Sequence, residues 1–177
     1  MLTTVKKVQD HLVMIVDSTK ETLIEDLIKQ VEKNIESYCN RIFRYGTYIE
    51  VFNGGRQRIF LKGFPVWEIE YVKVDGKEIT DYKVDKERGI IFHPTAFLHC
   101  GFYNIEVKYT CGYDASSIDI TLHPPADLEG AVIEEVISRY ENLTSEPKTG
   151  EGLIDLRTNF LTSRARDYFS RQRIINV

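Results

Sequence analysis

The apolar period of this chain changes twice, and those changes constrain its fold more than any other feature. Leu23, Ile24, Leu27, Ile28, Val31, Ile35 and Tyr38 recur at three- and four-residue intervals, while Glu25, Lys29, Glu32, Lys33 and Glu36 fill the opposite face. That spacing gathers the apolar groups on one side of an α-helix. From Tyr45 to Tyr113 the period falls to two, the repeat of a strand with one face buried. After His123-Pro124-Pro125 it returns to the helical value, with Leu128, Ala131, Val132, Val136, Ile137 and Tyr140 in a stripe. The predicted fold is therefore α+β: a helical body of about four helices with an inserted antiparallel β-subdomain of about six short strands.

Local signals refine this outline. Thr3 or Thr4 caps a first helix of two to three turns carrying Val5, Val8 and Leu12. Ser18 and Glu21 stand at capping-box spacing before the long helix, and Asn40, tolerant of the left-handed conformation, ends it. "YIEVFNGGRQRIFL" reads as a hairpin, with Ile49 and Val51 on one arm, Ile59 and Leu61 on the other, and a type I′ turn at Asn53-Gly54. "VWEIEYVKVDGKEITDYKV" gives a second strand pair turning at Asp75-Gly76. "GIIFHP" and "YNIEVKYTCGY" supply two more strands, the latter with Ile105, Val107 and Tyr109 alternating with polar residues. Pro124-Pro125 and Asp127 open the next helix. "TSEPKTGEG" reads as a linker, and "NFLTSRARDYFSRQRI" as a last helix beginning near Phe160. The expected division is residues 1–44 and 114–143 for the helical body, 45–113 for the β-insert, 144–157 for the linker and 158–177 for a C-terminal anchor helix.

Composition removes several function classes. A net charge of −4 argues against a chain that grips nucleic acid as a whole. No apolar run approaches the roughly 20 residues of a membrane helix, and Lys6, Lys7, Gln9 and Asp10 interrupt any signal-peptide stretch, so cytosolic synthesis without a membrane partner is expected. Cys39, Cys100 and Cys111 form no CxxC pair and read as reduced, mostly buried thiols. The histidines are scattered, which argues against a metal site, and no cofactor is implied. Catalytic fingerprints are missing: no GxSxG, P-loop, HExxH or strand-GxGxxG-helix occurs. Gly150-Glu151-Gly152 is a linker fragment, and the Asn142 sequon is chance in a cytosolic chain. Glu68 and Glu70 read as solvated strand residues rather than an acid/base pair. His93 and His99 near Cys100 lack an orienting carboxylate in sequence and make a poor nucleophile site.

Charge is distributed unevenly. From Arg157 to Val177 there are five arginines and one aspartate, a surplus of four positive charges. With −4 for the whole, the remainder carries a surplus of eight negative ones. On the last helix Leu161, Ala165, Tyr168 and Phe169 form a narrow apolar stripe flanked by arginines. Two readings are open: a helix that packs on its own domain with its arginines in water, or an anchor inserted into another protein.

Several phrases in order resemble the head-tail connector (adaptor) family of tailed bacteriophages and prophages: "MLTTVKKVQDHL", "IESYCNRIF", "FPVWEIEYVKVDG", "VKYTCGY", "HPPADLEGAVIEEVISRYENL" and "RQRIINV". The resemblance covers nearly the whole chain, and the Cys39-Asn40 pair and the loop "HPTAFLHCG" depart from it. It implies a structural virion protein and no enzyme. Relatives form a ring, typically of twelve copies, in the neck between capsid and tail, below the portal protein, where the ring extends the DNA channel and offers a surface to the stopper or tail-completion protein. Portal contact is expected at Arg164, Arg166, Tyr168, Phe169, Arg171 and Arg173. Contact with the tail or a neighbouring subunit is expected at Arg56 and Arg58, with DNA passing through without tight binding. Competing readings are another neck or tail-completion ring component and a soluble enzyme of unrecognised class.

Overall fold

Helix α1 (Val5–Leu12) starts where Thr4 stands, and the Thr4 hydroxyl accepts a bond from the Lys7 N–H at 3.4 Å. The computed structural model describes residues 1–12, 18–93, 100–144 and 161–174. The expected linker with Gly150-Glu151-Gly152, Arg157, His99, most of the "HPTAFLHCG" loop and a helix start at Phe160 lie outside those residues. Helix α2 (Ser18–Cys39) buries Ile24, Leu27, Ile28, Val31, Ile35 and Cys39 along the stripe that its period marks, with Leu23 and Tyr38 half-buried. It also buries Glu32, expected on the opposite face, because the Leu2 N–H donates to its carboxylate. Its end is a Schellman motif: Asn40 is left-handed at φ 50, its N–H bonds the Ser37 carbonyl, and the Arg41 N–H bonds the Glu36 carbonyl. Helix α3 (Ala126–Thr144) buries Leu128, Val132, Ile133, Val136 and Tyr140. Ala131 and Ile137, expected in its buried stripe, are only half-buried. Helix α4 (Ser163–Ser170) follows Thr162, its N-cap. Each fully buried Val, Leu or Ile contributes about 1.5–3 kcal/mol relative to exposure.

The chain divides into two units. One holds Met1–Arg41 and Asp114–Val177, and the other is Ile42–Tyr113. In the first, α2 contacts α1, α3 and α4, and α3 contacts α1 and α4. The start of the chain is fastened into it. Leu2 is fully buried with its N–H donating to the buried Glu32 carboxylate, and the Met1 carbonyl accepts from the Ala115 N–H at 2.7 Å.

Seven strands form the second unit among the described residues: β1 (Gly46–Phe52), β2 (Arg58–Phe60), β3 (Val66–Val74), β4 (Lys77–Ile79), β5 (Lys83–Asp85), β6 (Ile90–Phe92) and β7 (Ile105–Cys111). They make a four-stranded sheet in the order β1-β7-β3-β4 and a three-stranded sheet in the order β2-β6-β5. Both are antiparallel. Ile59, Leu61 and Ile91 share one apolar cluster with Val66, Val72, Ile105, Val107 and Tyr109. The Asp75-Gly76 turn joins β3 to β4 with both residues at positive φ, as a type I′ turn requires.

The hairpin expectation fails. The segment "YIEVFNGGRQRIFL" is no hairpin: β1 pairs with β7, while β2 pairs with β6. The loop at Asn53-Gly54-Gly55 links two different sheets, and its Gly54 N–H bonds the Gly101 carbonyl at 2.9 Å. Parity along β1 is also reversed. Ile49 and Val51 are exposed, while Tyr48 and Phe52 pack on the core cluster. Both faces of β1 carry apolar groups, and the two larger aromatic ones go in. Glu50, on their side, accepts bonds from the Tyr109 hydroxyl and the Lys62 N–H.

Candidate functional site

The arginine-rich segment is held to its own unit by a buried carboxylate. Glu135 of α3, 1% exposed, accepts from the Thr162 N–H at 3.0 Å and the Thr162 hydroxyl at 2.8 Å. Its other oxygen accepts from Arg139 Nε at 3.0 Å, and with the Asn34 amide of α2 turned so that its oxygen faces the guanidinium, Arg139 donates to it at 3.0 and 3.2 Å. A buried charge is tolerable only when its lone pairs are occupied in this way. Thr162 also caps α4, its hydroxyl accepting from the Ala165 N–H at 3.3 Å. One threonine thus starts the helix and ties it to α3.

The far end of α4 is tied to α2. The Ile174 N–H bonds the Cys39 carbonyl at 2.9 Å, and Arg41 Nη1 donates to Gln172 Oε1 at 2.8 Å. The Arg173 guanidinium lies 5.7 Å from the Tyr38 ring centroid, within cation–π range. Burial pushes the Cys39 thiol up to about 12, against the opposing pull of Arg41 and Arg173. It is a neutral packing group whose Sγ–H reaches the Phe169 carbonyl.

These ties orient α4. Leu161, Ala165 and Phe169, four residues apart, are buried. Arg164, Arg166, Arg171 and Arg173 are all exposed. Arg164, Tyr168 and Arg171 share a face at positions i, i+4 and i+7, and the Tyr168 hydroxyl donates to Asp127 at 2.9 Å. The expected contact residues therefore separate. The Phe169 ring is consumed in the fold, edge-on to Tyr168 at 5.1 Å between centroids, and only the arginines and the Tyr168 edge face out. Between α3 and α4 runs an open groove of about 800 Å³, with Gly130, Ala131 and Ile137 on one wall and Arg164 and Tyr168 on the other.

A family model described as head completion protein matches residues 1–136, from α1 through most of α3. This chain belongs to the head completion protein family. Among curated proteins none matches the sequence. Solved structures do. The neck of a native gene transfer agent particle, computed with C12 symmetry, is similar at 17% identity and a TM-score of 0.62, over 98% of this chain and 89% of that one. The neck of the empty particle, computed with C6 symmetry, gives 17% and 0.66 over 99% and 91%, and the native particle's virion gives the same values. At that identity the likeness is one of fold. The family match ends before α4, so the docked helix of this family member is argued from its own geometry.

The remaining candidates stand apart. Arg56 and Arg58 are exposed in the β-unit, Arg58 as the first residue of β2 rather than at a hairpin tip. Glu70 is paired with Lys108 at 2.6 Å. His93 is buried and Cys100 exposed. Among the described residues no group of three His, Cys, Asp or Glu could hold a metal, and no helix is long and apolar enough to cross a membrane. Sequence reasoning missed Glu135, although its signal was present: a charged residue beside Val136, inside an apolar stripe.

Proposed function

We propose that this head completion protein is a structural component of the virion neck, one copy in a ring that extends the DNA channel and joins the portal protein to the stopper or tail. The family supports the structural role, and likeness to a particle's neck, computed in one case with C12 symmetry, supports the place, the ring and a copy number of twelve. Portal contact is assigned to the outward residues of α4 and of the segment that follows it: Arg164, Tyr168 and Arg171 on one flank, Arg166 on the other, and Arg173 beyond, with Phe169 acting from beneath as the group that seats the helix. The observation that carries this assignment is the fastening of α4 at both ends, at Thr162 and at Gln172, with its arginines left in solvent. Pre-organisation removes the ordering cost that a free arm would face on binding. A chain of net charge −4 suits a conduit that does not hold phosphates, since each Lys or Arg contact adds a salt-sensitive increment to binding.

Charge reversal is the right test, because deleting the segment would uncover Leu161, Ala165 and Phe169. The Arg164→Glu, Arg171→Glu variant should keep the wild-type melting profile and lose portal co-sedimentation by about 2 kcal/mol or more, roughly 30-fold. Portal binding at unchanged affinity would remove α4 from the interface.

A further inference from the structure

The outer face of the three-stranded sheet is unaccounted for by the core. Register places Arg58, Phe92 and Lys83 in one row across β2, β6 and β5, and Phe60, Ile90 and Asp85 in the next. Ile59 and Ile91, between those rows, are buried on the other side. Phe60 is 55% exposed, and Arg58 and Lys83 are exposed. A phenyl ring thus lies between two cations, with a second ring beside it. Arginine and aromatic side chains are the groups enriched at the centres of protein interfaces. Duplex nucleic acid fits less well: its base faces are stacked away, so the rings gain nothing, and Asp85 in the second row repels phosphate.

On the helical unit the α3 wall of the groove, across from Arg164 and Tyr168, carries the opposite charge. Along α3, Asp127, Glu134 and Glu141 rim the groove at seven-residue intervals, two helical turns. Ile137 and Ser138 lie between the last two, and Glu134 and Glu141 are exposed. Two turns span about 10.5 Å. Across the sheet, Arg58 and Lys83 are two strand spacings apart, about 9.6 Å. The pattern cation, ring, cation on the sheet therefore matches the pattern acid, Ile, acid on the helix in sign, polarity and spacing.

We propose that the outer face of the β2-β6-β5 sheet in one copy docks on the acid-rimmed face of α3 in the next copy, Arg58 and Lys83 meeting Glu134 and Glu141 while Phe92 covers Ile137. Two different patches meet, so the contact is heterologous and repeats from copy to copy, closing where the rotation allows. This rests on the ring reading above and names the surfaces that make it.

The full-length chain is followed by sedimentation velocity over a concentration series. Arg58→Glu with Lys83→Glu, and separately Glu134→Lys with Glu141→Lys, should each weaken self-association about tenfold or more. Mixing the two variants should restore it, because every contact in an alternating assembly again pairs opposite charges. That recovery also proves both variants folded. Wild-type assembly by either variant alone, loss that mixing does not recover, or a wild-type chain that stays monomeric throughout overturns the proposal. So does retention of duplex DNA by the wild type that disappears in the sheet variant. Portal co-sedimentation is read separately: a wild-type chain that binds the portal but does not self-associate sinks this contact and leaves the portal reading standing.

Discussion

The two units of the molecule are held together by different means. The β-unit, Ile42–Tyr113, is one continuous stretch, and its two sheets close over a cluster of apolar side chains with the Tyr109 ring among them. Backbone ladders pair its strands. The helical unit is assembled from two chain segments separated by that insert. Polar bonds join the two, Arg41 to Gln172 and the Met1 amino group to Asp114, while buried carboxylates fasten elements within each, Glu32 to Leu2 and Glu135 to Thr162. A strand pair finds its hydrogen bonds by lying beside any other strand. Helices satisfy their backbones internally, so segments far apart in sequence are positioned by packing and a few directed bonds. The helical unit is accordingly the one that single polar substitutions should unfasten.

The largest effect is expected at Glu135. Glu135→Ala takes the partner from the half-buried Arg139 guanidinium and Thr162 donors and empties the buried space that the side chain filled, a change of about 3 kcal/mol or more. Trp67, the chain's single tryptophan, lies in β3 with its Nε1–H bonded to the Gly112 carbonyl, so its fluorescence reports on the β-unit. Denaturation of this variant should lower the midpoint read by helical circular dichroism more than the midpoint read by Trp67. Coincident shifts of equal size would make the two units one cooperative body and end the comparison.

The converse comes from Gly63. A Cβ there would stand 2.1 Å from Cys111 Sγ and 3.1 Å from the Tyr109 hydroxyl. Gly63→Ala should cost about 1–3 kcal/mol through overpacking. Its Trp67 transition should move first. A variant whose helical signal moves first would reverse the assignment.

The smallest effect is set by pH. Partial burial of Asp114 works against its charged form, but the Ser116 hydroxyl and N–H and the Met1 amino group outweigh it and hold the carboxyl below the usual carboxylate range. A lowered folded-state value means that the carboxylate's contribution is present above its unfolded value. That contribution is lost as pH falls through the folded value, below about pH 4. Asp114→Asn should flatten that acid limb of helical-unit stability and leave the neutral plateau nearly level. An unchanged acid limb would show that other carboxylates carry it.

Much of this was legible from local pattern, because the information involved is local. Helix or strand follows from whether apolar residues recur every three to four positions or every two, and β7 buries Ile105, Val107, Tyr109 and Cys111 as its alternation dictates. Asn40 and Asp75-Gly76 mark the helix end and the type I′ turn, since few residues tolerate positive φ. The arginines of α4 were legible as an exposed cationic group.

Tertiary structure decided the rest. A period of two states that a strand has two faces. It does not name the neighbour, since every strand offers the same backbone donors and acceptors; hence β1 lies against β7 and β2 against β6. In β1 both parities carry apolar groups, so burial of Tyr48 and Phe52 in place of Ile49 and Val51 depended on which rings the completed core could enclose. The stripe on α4 posed the same ambiguity, because Leu161, Ala165 and Phe169 would serve a partner's surface or their own unit equally well. What settled it is the Glu135 carboxylate, 27 residues from Thr162 in sequence and 2.8 Å from its hydroxyl in space. A bond between groups so far apart along the chain is set only when the packing of α2 and α3 has already fixed where that carboxylate points.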